Sequence, residues 1–398
     1  MTLAPLRLKK GEDRRLRSGH PWVFSNEINV QETPLGGFKA GQQVVIEDAK
    51  GIALGVAYVN PRTLICARLV SRNPKAALDH ALLRERIQSA LALRERLFAL
   101  HYYRLVYGDS DRLPGLVVDR FNDTLVVQIT TAGMEHLKEH IVEVLTELLR
   151  PKVIVLRNDS ASREVEGLAS YVSTPVGDAP DTITVEENGA RFEAPLLTGQ
   201  KTGWFYDHRQ NRARMQTYVA GKKVLDMFSY VGGWGVQAAI AGAAQVVCVD
   251  SSDKALGYAR SNAALNNKAS QFTTRSADAF DALHALAQEK QKFDVIILDP
   301  PAFIKRKKDH AAGIEAYQRL NRLAMQVLCD DGILISASCS FHLTADELLR
   351  ATLRASRSSH KELQILEQGH QAADHPVHPA IPETAYLKTF FGRVQNAD

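Results

Sequence analysis

Val224-Leu225-Asp226-Met227-Phe228-Ser229-Tyr230-Val231-Gly232-Gly233 is an apolar run carrying an acid, followed by a glycine turn and a helical pattern. Such a run predicts a strand buried on both faces. The two glycines allow the backbone to approach a ligand closely. The spacing is not the G-x-G-x-x-G of a dinucleotide site, and the sequence has no G-K-[ST] phosphate loop. Working outward, strands are predicted at Val224–Met227, Gln245–Asp250, Phe272–Arg275, Phe293–Leu298 and Gly332–Ser338. Helices Gly233–Ala241, Asp253–Asn266, Ala279–Lys290 and Ile314–Leu328 alternate with them. This alternation predicts a doubly wound, largely parallel α/β sheet covered on both faces. Helix Thr344–Ser356 and strands Leu363–Glu367 and Tyr386–Arg393 complete seven strands.

In such sheets ligands bind beyond the carboxyl ends of the strands. The second strand ends in Asp250, 24 residues after Asp226, with Ser251 beside it. A carboxylate there can accept hydrogen bonds from both hydroxyls of a ribose. Asp278 follows the third strand and is placed to take an adenine amino group. Any one of these acids alone reads better as a helix cap or turn residue. Three at successive strand ends, with a glycine turn after the first, point to an adenosine-containing cofactor. Asp226, Phe228, Ser229, Tyr230, Gly232, Gly233, Asp250, Ser251 and Asp278 are the expected lining.

The fourth strand ends in Asp299-Pro300-Pro301 and the fifth in Ser338-Cys339-Ser340. The Asp299-Pro300-Pro301 tripeptide resembles the motif by which methyltransferases hold a planar, amino-bearing base, which implies that Asp299 accepts from the exocyclic amine or bonds N3 while the prolines stiffen the turn. Its own value as a cofactor contact is also expected from that position. C5 of cytosine is a poor nucleophile, and a thiolate adding at C6 turns C5 into an enamine carbon that accepts a methyl group. Cys339 is the one cysteine expected at the functional edge. Cys248 falls inside a central strand, Cys66 belongs to the N-terminal part and Cys329 ends a helix, so these three are expected to be inert.

Four cysteines in 398 residues are too sparse for a disulfide framework, and none is paired at C-x-x-C spacing, which argues against structural zinc. The length predicts two or three domains. No run reaches the ~18 apolar residues of a membrane span, and the basic N-terminus lacks the apolar centre of a secretory signal. A cytoplasmic protein without membrane contact is expected. The net charge of +4 is uneven: residues 1–75 carry about +6 of it and the remainder about −2. A small basic module on a near-neutral body suggests a polyanionic partner.

Within 1–75, the runs Gln43–Glu47, Ile52–Val59 and Leu64–Val70 between glycine and proline turns predict a small β-rich fold. A helix is expected over Ala77–Leu100. Residues 76–195 then read as an α+β middle domain, with strands at Tyr103–Tyr107, Leu116–Asp119, Thr124–Thr130 and Val153–Leu156, a helix at Glu135–Leu149, and short strands near Ile183–Val185 and Arg191–Glu193.

The whole resembles the bacterial 23S rRNA (cytosine-5)-methyltransferases that carry an N-terminal PUA domain. The likeness runs through His20-Pro21-Trp22-Val23-Phe24, the Gly108–Gly115 run, Gly199-Gln200-Lys201-Thr202-Gly203 and Asp207-His208-Arg209-Gln210-Asn211. It continues through the Asp226–Gly233 turn, Asp299-Pro300-Pro301, Ser338-Cys339-Ser340 and Ala373-Asp374-His375-Pro376. It implies a class I methyltransferase sheet over 196–398, a PUA barrel binding RNA over 1–75, S-adenosylmethionine as cofactor and 23S rRNA as partner. It also implies that Lys201–Asn211 lies over the cofactor. Arg209 then either reaches the methionine carboxylate or forms an ordinary salt bridge. One position departs from a wider pattern: many RNA cytosine-5 methyltransferases carry a second cysteine directly after Pro-Pro, and here that residue is Ala302. The acceptor of the C5 proton is left open among Asp299, Asp374, His375 and water. Three rivals remain: a base N-methyltransferase, such as one acting on guanine N7; a non-catalytic RNA-binding assembly factor; and a small-molecule methyltransferase, which leaves the basic N-terminal module unexplained. Oligomeric state is also open, a homodimer included.

Overall fold

The computed structural model describes residues 3–200 and 202–397. The chain divides into two compact units. One comprises residues 1–183, 195–204 and 373–384, and the other 184–194, 205–372 and 385–398.

In the first unit, Ala4–Arg7, Trp22–Phe24, Gln42–Glu47, Ala53–Val59 and Ile65–Ser71 form one five-stranded sheet. Backbone bonds from Lys9 N to Glu27 O (2.9 Å) and from Asn29 N to Arg7 O (2.9 Å) join the segments that follow its two edge strands. The first two strands escaped sequence reading because they are only four and three residues long. A second sheet pairs Tyr102–Tyr107, Leu116–Phe121, Thr124–Ile129, Val153–Asn158 and Tyr171–Val176, backed by helices His80–Leu97 and Lys138–Leu149. Tyr171–Val176 was not foreseen because Pro175 interrupts it. It is an edge strand with a register shift between Ser173 and Val176, where a proline is tolerated. One core serves both sheets: Val56, Tyr58 and Val70 pack with Leu83, Tyr103, Leu116 and Ile141.

In the second unit the elements are β1 (Lys223–Met227), α1 (Gly233–Ile240), β2 (Gln245–Asp250), α2 (Asp253–Leu265), β3 (Phe272–Ser276) and α3 (Ala279–Gln288). They continue with β4 (Phe293–Leu298), α4 (His310–Val327), β5 (Leu328–Ser338), α5 (Ala345–Ser358), β6 (Lys361–Gly369) and β7 (Lys388–Asn396). The seven strands run in the order β3-β2-β1-β4-β5-β7-β6. β1 to β5 are parallel, and β7 is antiparallel to both β5 and β6. This is the doubly wound seven-stranded sheet expected from the strand and helix rhythm. β1 and β4, neighbours that are not consecutive, mark the point where the strand order reverses and ligands bind. Leu225, Met227, Ile296, Leu298, Leu320 and Leu334 fill the core.

One local expectation is corrected. Cys329 does not end a helix; it is the second residue of β5. The helix stops at Val327, and the strand begins at Leu328, before the polar Asp330-Asp331-Gly332 run. Cys248 is buried in its central strand as expected, and Cys66 is buried as well.

Candidate active site

Strand register brings the singled-out residues to one edge. Met227 pairs with Val249 and with Leu298, Asp250 with Ser276, and Leu298 with Ser336. The residues that follow are the Phe228–Gly233 turn, Ser251, Asp278, Asp299 and Cys339. They leave the carboxyl ends of five adjacent parallel strands.

The first turn is strained. Phe228 (φ 62°), Tyr230 (φ 48°) and Gly232 (φ 85°) all lie in the left-handed region, two of them with side chains that disfavour it. Such a conformation persists only where neighbours fix it, and they do. Ser229 N donates to Val249 O (3.0 Å) and Gly232 N to Ser229 O (2.8 Å). Tyr230 N donates to Asp250 Oδ2 (2.9 Å). A Cβ on Gly232 would lie 3.1 Å from Ala259 Cβ and Val236 Cγ2, so both space and φ demand glycine there. Gly233 opens α1.

Asp226 is fully buried at the end of β1. Its Oδ2 accepts from Gly235 N (2.8 Å), tying strand to helix, while Oδ1 has no hydrogen-bond partner among the described residues. Burial pushes this carboxyl up to about 7, the Gly235 N–H only partly offsetting it. The sign is that of an acid raised by folding: its contribution is fully present below the unfolded value near 4 and is lost as pH rises through about 7. Asp226→Asn keeps an acceptor for Gly235 and removes the charge. Its melting temperature is expected to exceed the wild type's at about pH 8 and to lose most of the wild type's decline above about pH 5. Parallel melting curves against pH for the two proteins would assign that decline to other groups.

Asp250, half-buried, also accepts from Ser252 N through Oδ1 (2.9 Å). Ser251 is exposed beside it. Asp278 is exposed and caps α3, its Oδ1 accepting from Phe280 N (2.8 Å) and Asp281 N (3.3 Å). The capping role weighed from sequence is therefore realised, and Oδ2 remains for a ligand.

At the end of β4, Asp299 is held from two sides. Trp234 Nε1 donates to Oδ2 (3.0 Å), and His208 Nε2 lies 3.1 Å from Oδ1. Asn211 Nδ2 sits 3.1 Å from His208 Nδ1, which places the imidazole proton on Nε2. Burial pushes Asp299 up, but His208 and Trp234 together outweigh it and hold the carboxyl below its ordinary value. It is an anion at neutral pH. Sequence reasoning missed both partners. Trp234 had one visible signal, a large aromatic inside the small-residue run Gly232-Gly233-Trp234-Gly235.

Cys339 is partly exposed just past β5. Its neighbours are clamped. Ser338 Oγ donates to Tyr317 OH (2.8 Å), and Tyr317 OH is 2.9 Å from Ser340 Oγ. Ser340 Oγ in turn accepts from Ile304 N (3.2 Å), on the turn that follows Asp299-Pro300-Pro301. One phenol thus fastens the cysteine loop to the acid's loop. Tyr317 lies in mid-helix, and no sequence pattern marks it. The other cysteines are poor thiolates: burial pushes Cys66 up to about 12, and Cys248 and Cys329 upward as well.

The remaining candidates are engaged elsewhere. Arg209 Nε lies 3.5 Å from Glu187 Oε2, with its guanidinium over the Tyr206 ring. Lys201, at the start of the segment expected over the cofactor, lies outside the described residues. Asp374 and His375 belong to the first unit. Asp374 accepts there from Arg104 N (2.9 Å) and lies 2.9 Å from His375 Nδ1.

The buried, unpartnered oxygen of Asp226, the strained turn and the two accepting acids fit an adenosine-containing ligand with a polar end. The profile of the S-adenosylmethionine-dependent methyltransferase family matches residues 165–391, and that of a PUA-like domain matches residues 6–72. The chain belongs to the S-adenosylmethionine-dependent methyltransferases, with an N-terminal PUA-like domain, and S-adenosylmethionine is its cofactor. Among its relatives is the ribosomal RNA large subunit methyltransferase I of Shigella boydii serotype 18. It is 36% identical over 392 residues, covering 97% of this chain and 98% of the relative. The protein of the same name from Escherichia coli O157:H7 is also 36% identical, with the same coverage. The crystal structure of SMU.776 complexed with SAH superposes with a TM-score of 0.84 at 21% identity, covering 98% of this chain and 100% of that one. Among the described residues no helix is long and apolar enough to cross a membrane.

Proposed function

We propose that this protein methylates C5 of a cytosine in 23S rRNA, with Cys339 as covalent nucleophile and Asp299 as the group that holds the base. The observation that carries this reading is the placement of a partly exposed cysteine and an ionised acid beyond adjacent strands β5 and β4, fastened through Tyr317 and Ser340. The names of the relatives at 36% identity support a large-subunit rRNA substrate. Asp226, the Phe228–Gly233 turn, Asp250, Ser251, Asp278, Asp299 and Arg209 would hold S-adenosylmethionine, which supplies an electrophilic methyl group.

The chain's own residues do the rest. Asp299, kept ionised, accepts from the cytosine N4 amine and favours a proton on N3. The Cys339 thiolate bonds to C6, and the C5–C6 electron pair moves so that C5 becomes nucleophilic. After C5 is methylated, its proton leaves, the C6–sulfur bond breaks and the ring double bond returns with release of the thiolate. With Ala302 in place of a second cysteine, no thiol after Pro-Pro takes part in that release. Nucleosides from 23S rRNA methylated in vitro with isotopically labelled cofactor should contain labelled 5-methylcytidine. Label on guanine N7 instead would overturn the proposal.

By role, we propose 1–75 as the RNA-binding module, 76–195 as the middle domain and 196–398 as the methyltransferase domain. The shared core of the first unit makes deletion of 1–75 an unclean test, because Tyr58 OH donates to Pro114 O (2.7 Å) from inside it. Lys9, Lys10 and Arg14 are exposed. Replacing all three with alanine should weaken RNA binding and flatten the log–log salt slope by about 2–3, at about 0.7–0.9 for each phosphate no longer neutralised. Cofactor affinity should not change. An unaltered salt slope would place the RNA-binding surface elsewhere.

A further inference from the structure

A lysine that the sequence pattern does not single out is buried beside Cys339. β5 and β7 pair with Ser338 opposite Lys388, so this side chain rises next to the residue that precedes the cysteine. Its ammonium donates to the carbonyl of Ser340, the residue that follows it. Lys388 is only 7% exposed. That hydrogen bond goes to a neutral carbonyl, and a buried ammonium without a nearby anion is costly. Two acidic groups bear on it electrostatically, the Cys339 thiol and the Glu347 carboxyl. Glu347 is already engaged: it accepts from Thr344 N (2.8 Å) and Thr344 Oγ1 (2.9 Å), and lies 3.0 Å from His310 Nε2. Tyr317, whose hydroxyl also meets the loop, is raised by burial despite its bonds to Ser338 and Ser340, and stays a neutral phenol.

We propose that Lys388 is a positioning residue that holds Cys339 as a thiolate, its buried ammonium lying alongside the loop and stabilising the negative sulfur. The inference rests on the reading of Cys339 as nucleophile. The thiol proton leaves to solvent and the ammonium keeps its own. Burial brings Lys388 down to about 8, with Cys339 and Glu347 opposing, so the ammonium is present through neutral pH and fades above it. Lysine suits the place because its head is a compact point charge.

The test is the rate of Cys339 alkylation by iodoacetamide between about pH 5 and 10, read by peptide mass spectrometry on the full chain without RNA. The wild-type midpoint should lie below the ~8.5 of a free thiol. Lys388→Met should raise it by about one unit, slowing alkylation at pH 7 about tenfold. Lys388→Arg should keep it low. Methyl transfer by Lys388→Met should fall about tenfold at pH 7 and recover toward pH 9 as solvent ionises the thiol. A wild-type midpoint at the free-thiol value overturns the proposal without any variant. So does an equal midpoint in Lys388→Met, or a loss of turnover that does not recover with pH. Because alkylation needs neither RNA nor methyl transfer, this result is separate from that of Cys339→Ala turnover, which tests the nucleophile itself.

Discussion

Incubated with S-adenosylmethionine and RNA carrying 5-fluorocytosine, the wild-type protein is expected to form a covalent complex that survives denaturation. Fluorine at C5 cannot leave as a cation, so the adduct forms, takes its methyl group and cannot eliminate. Cys339→Ala should abolish both the adduct and turnover, because without addition at C6 the C5 carbon has little nucleophilicity. The effect is all or none on a denaturing gel. Cys66→Ala, Cys248→Ala and Cys329→Ala should keep the adduct. The first two sites are buried, and those variants should lose stability by about 1 kcal/mol as cavities open. An adduct persisting in Cys339→Ala would move the nucleophile elsewhere. Normal methylation by that variant would remove C5 chemistry altogether and favour a base N-methyltransferase.

The second large effect is expected at Asp250. Loss of a charged acceptor of two ribose hydroxyls costs about 1.5–3 kcal/mol, or about 10- to 150-fold in cofactor affinity. The structure adds a second route to the same loss. Asp250 Oδ2 holds Tyr230 N at 2.9 Å, in a turn whose Tyr230 φ of 48° needs that support. Asp250→Ala should therefore weaken cofactor binding strongly by calorimetry. Asp250→Asn, which keeps one acceptor for the turn but no charge, should fall between alanine and wild type. Wild-type affinity in Asp250→Ala would place the pocket elsewhere. Equal losses in both variants would assign the whole effect to charge.

The second unit was legible for a physical reason. Buried parallel strands must be apolar throughout and their covering helices amphipathic, so Val224–Met227, Phe293–Leu298 and their neighbours betray themselves without any knowledge of the folded chain. Because ligands collect at the carboxyl ends of such strands, the order of elements alone singled out Asp226, Asp250, Asp278, Asp299 and Cys339. Local signals failed where an element owed its existence to pairing rather than composition. Ala4–Arg7 and Tyr171–Val176 are edge strands containing proline, and Cys329 entered a strand because Leu328 before it pairs with Phe293 of β4.

What only the tertiary structure decided is the division of labour among those residues. Asp226 and Asp250 look alike in sequence, yet one is fully buried with a carboxyl pushed up to about 7, and the other is half-buried and braces Tyr230. Asp299 is an anion because His208 and Trp234, 91 and 65 residues away in the chain, converge on it. Tyr317 clamps the cysteine loop from the middle of a helix, and Lys388 reaches it across an antiparallel pair. Sequence determines which residue types stand at strand ends, since that follows from periodicity along the chain. Protonation state and mutual reach depend on burial and on partners brought in by register, and both are properties of the folded whole.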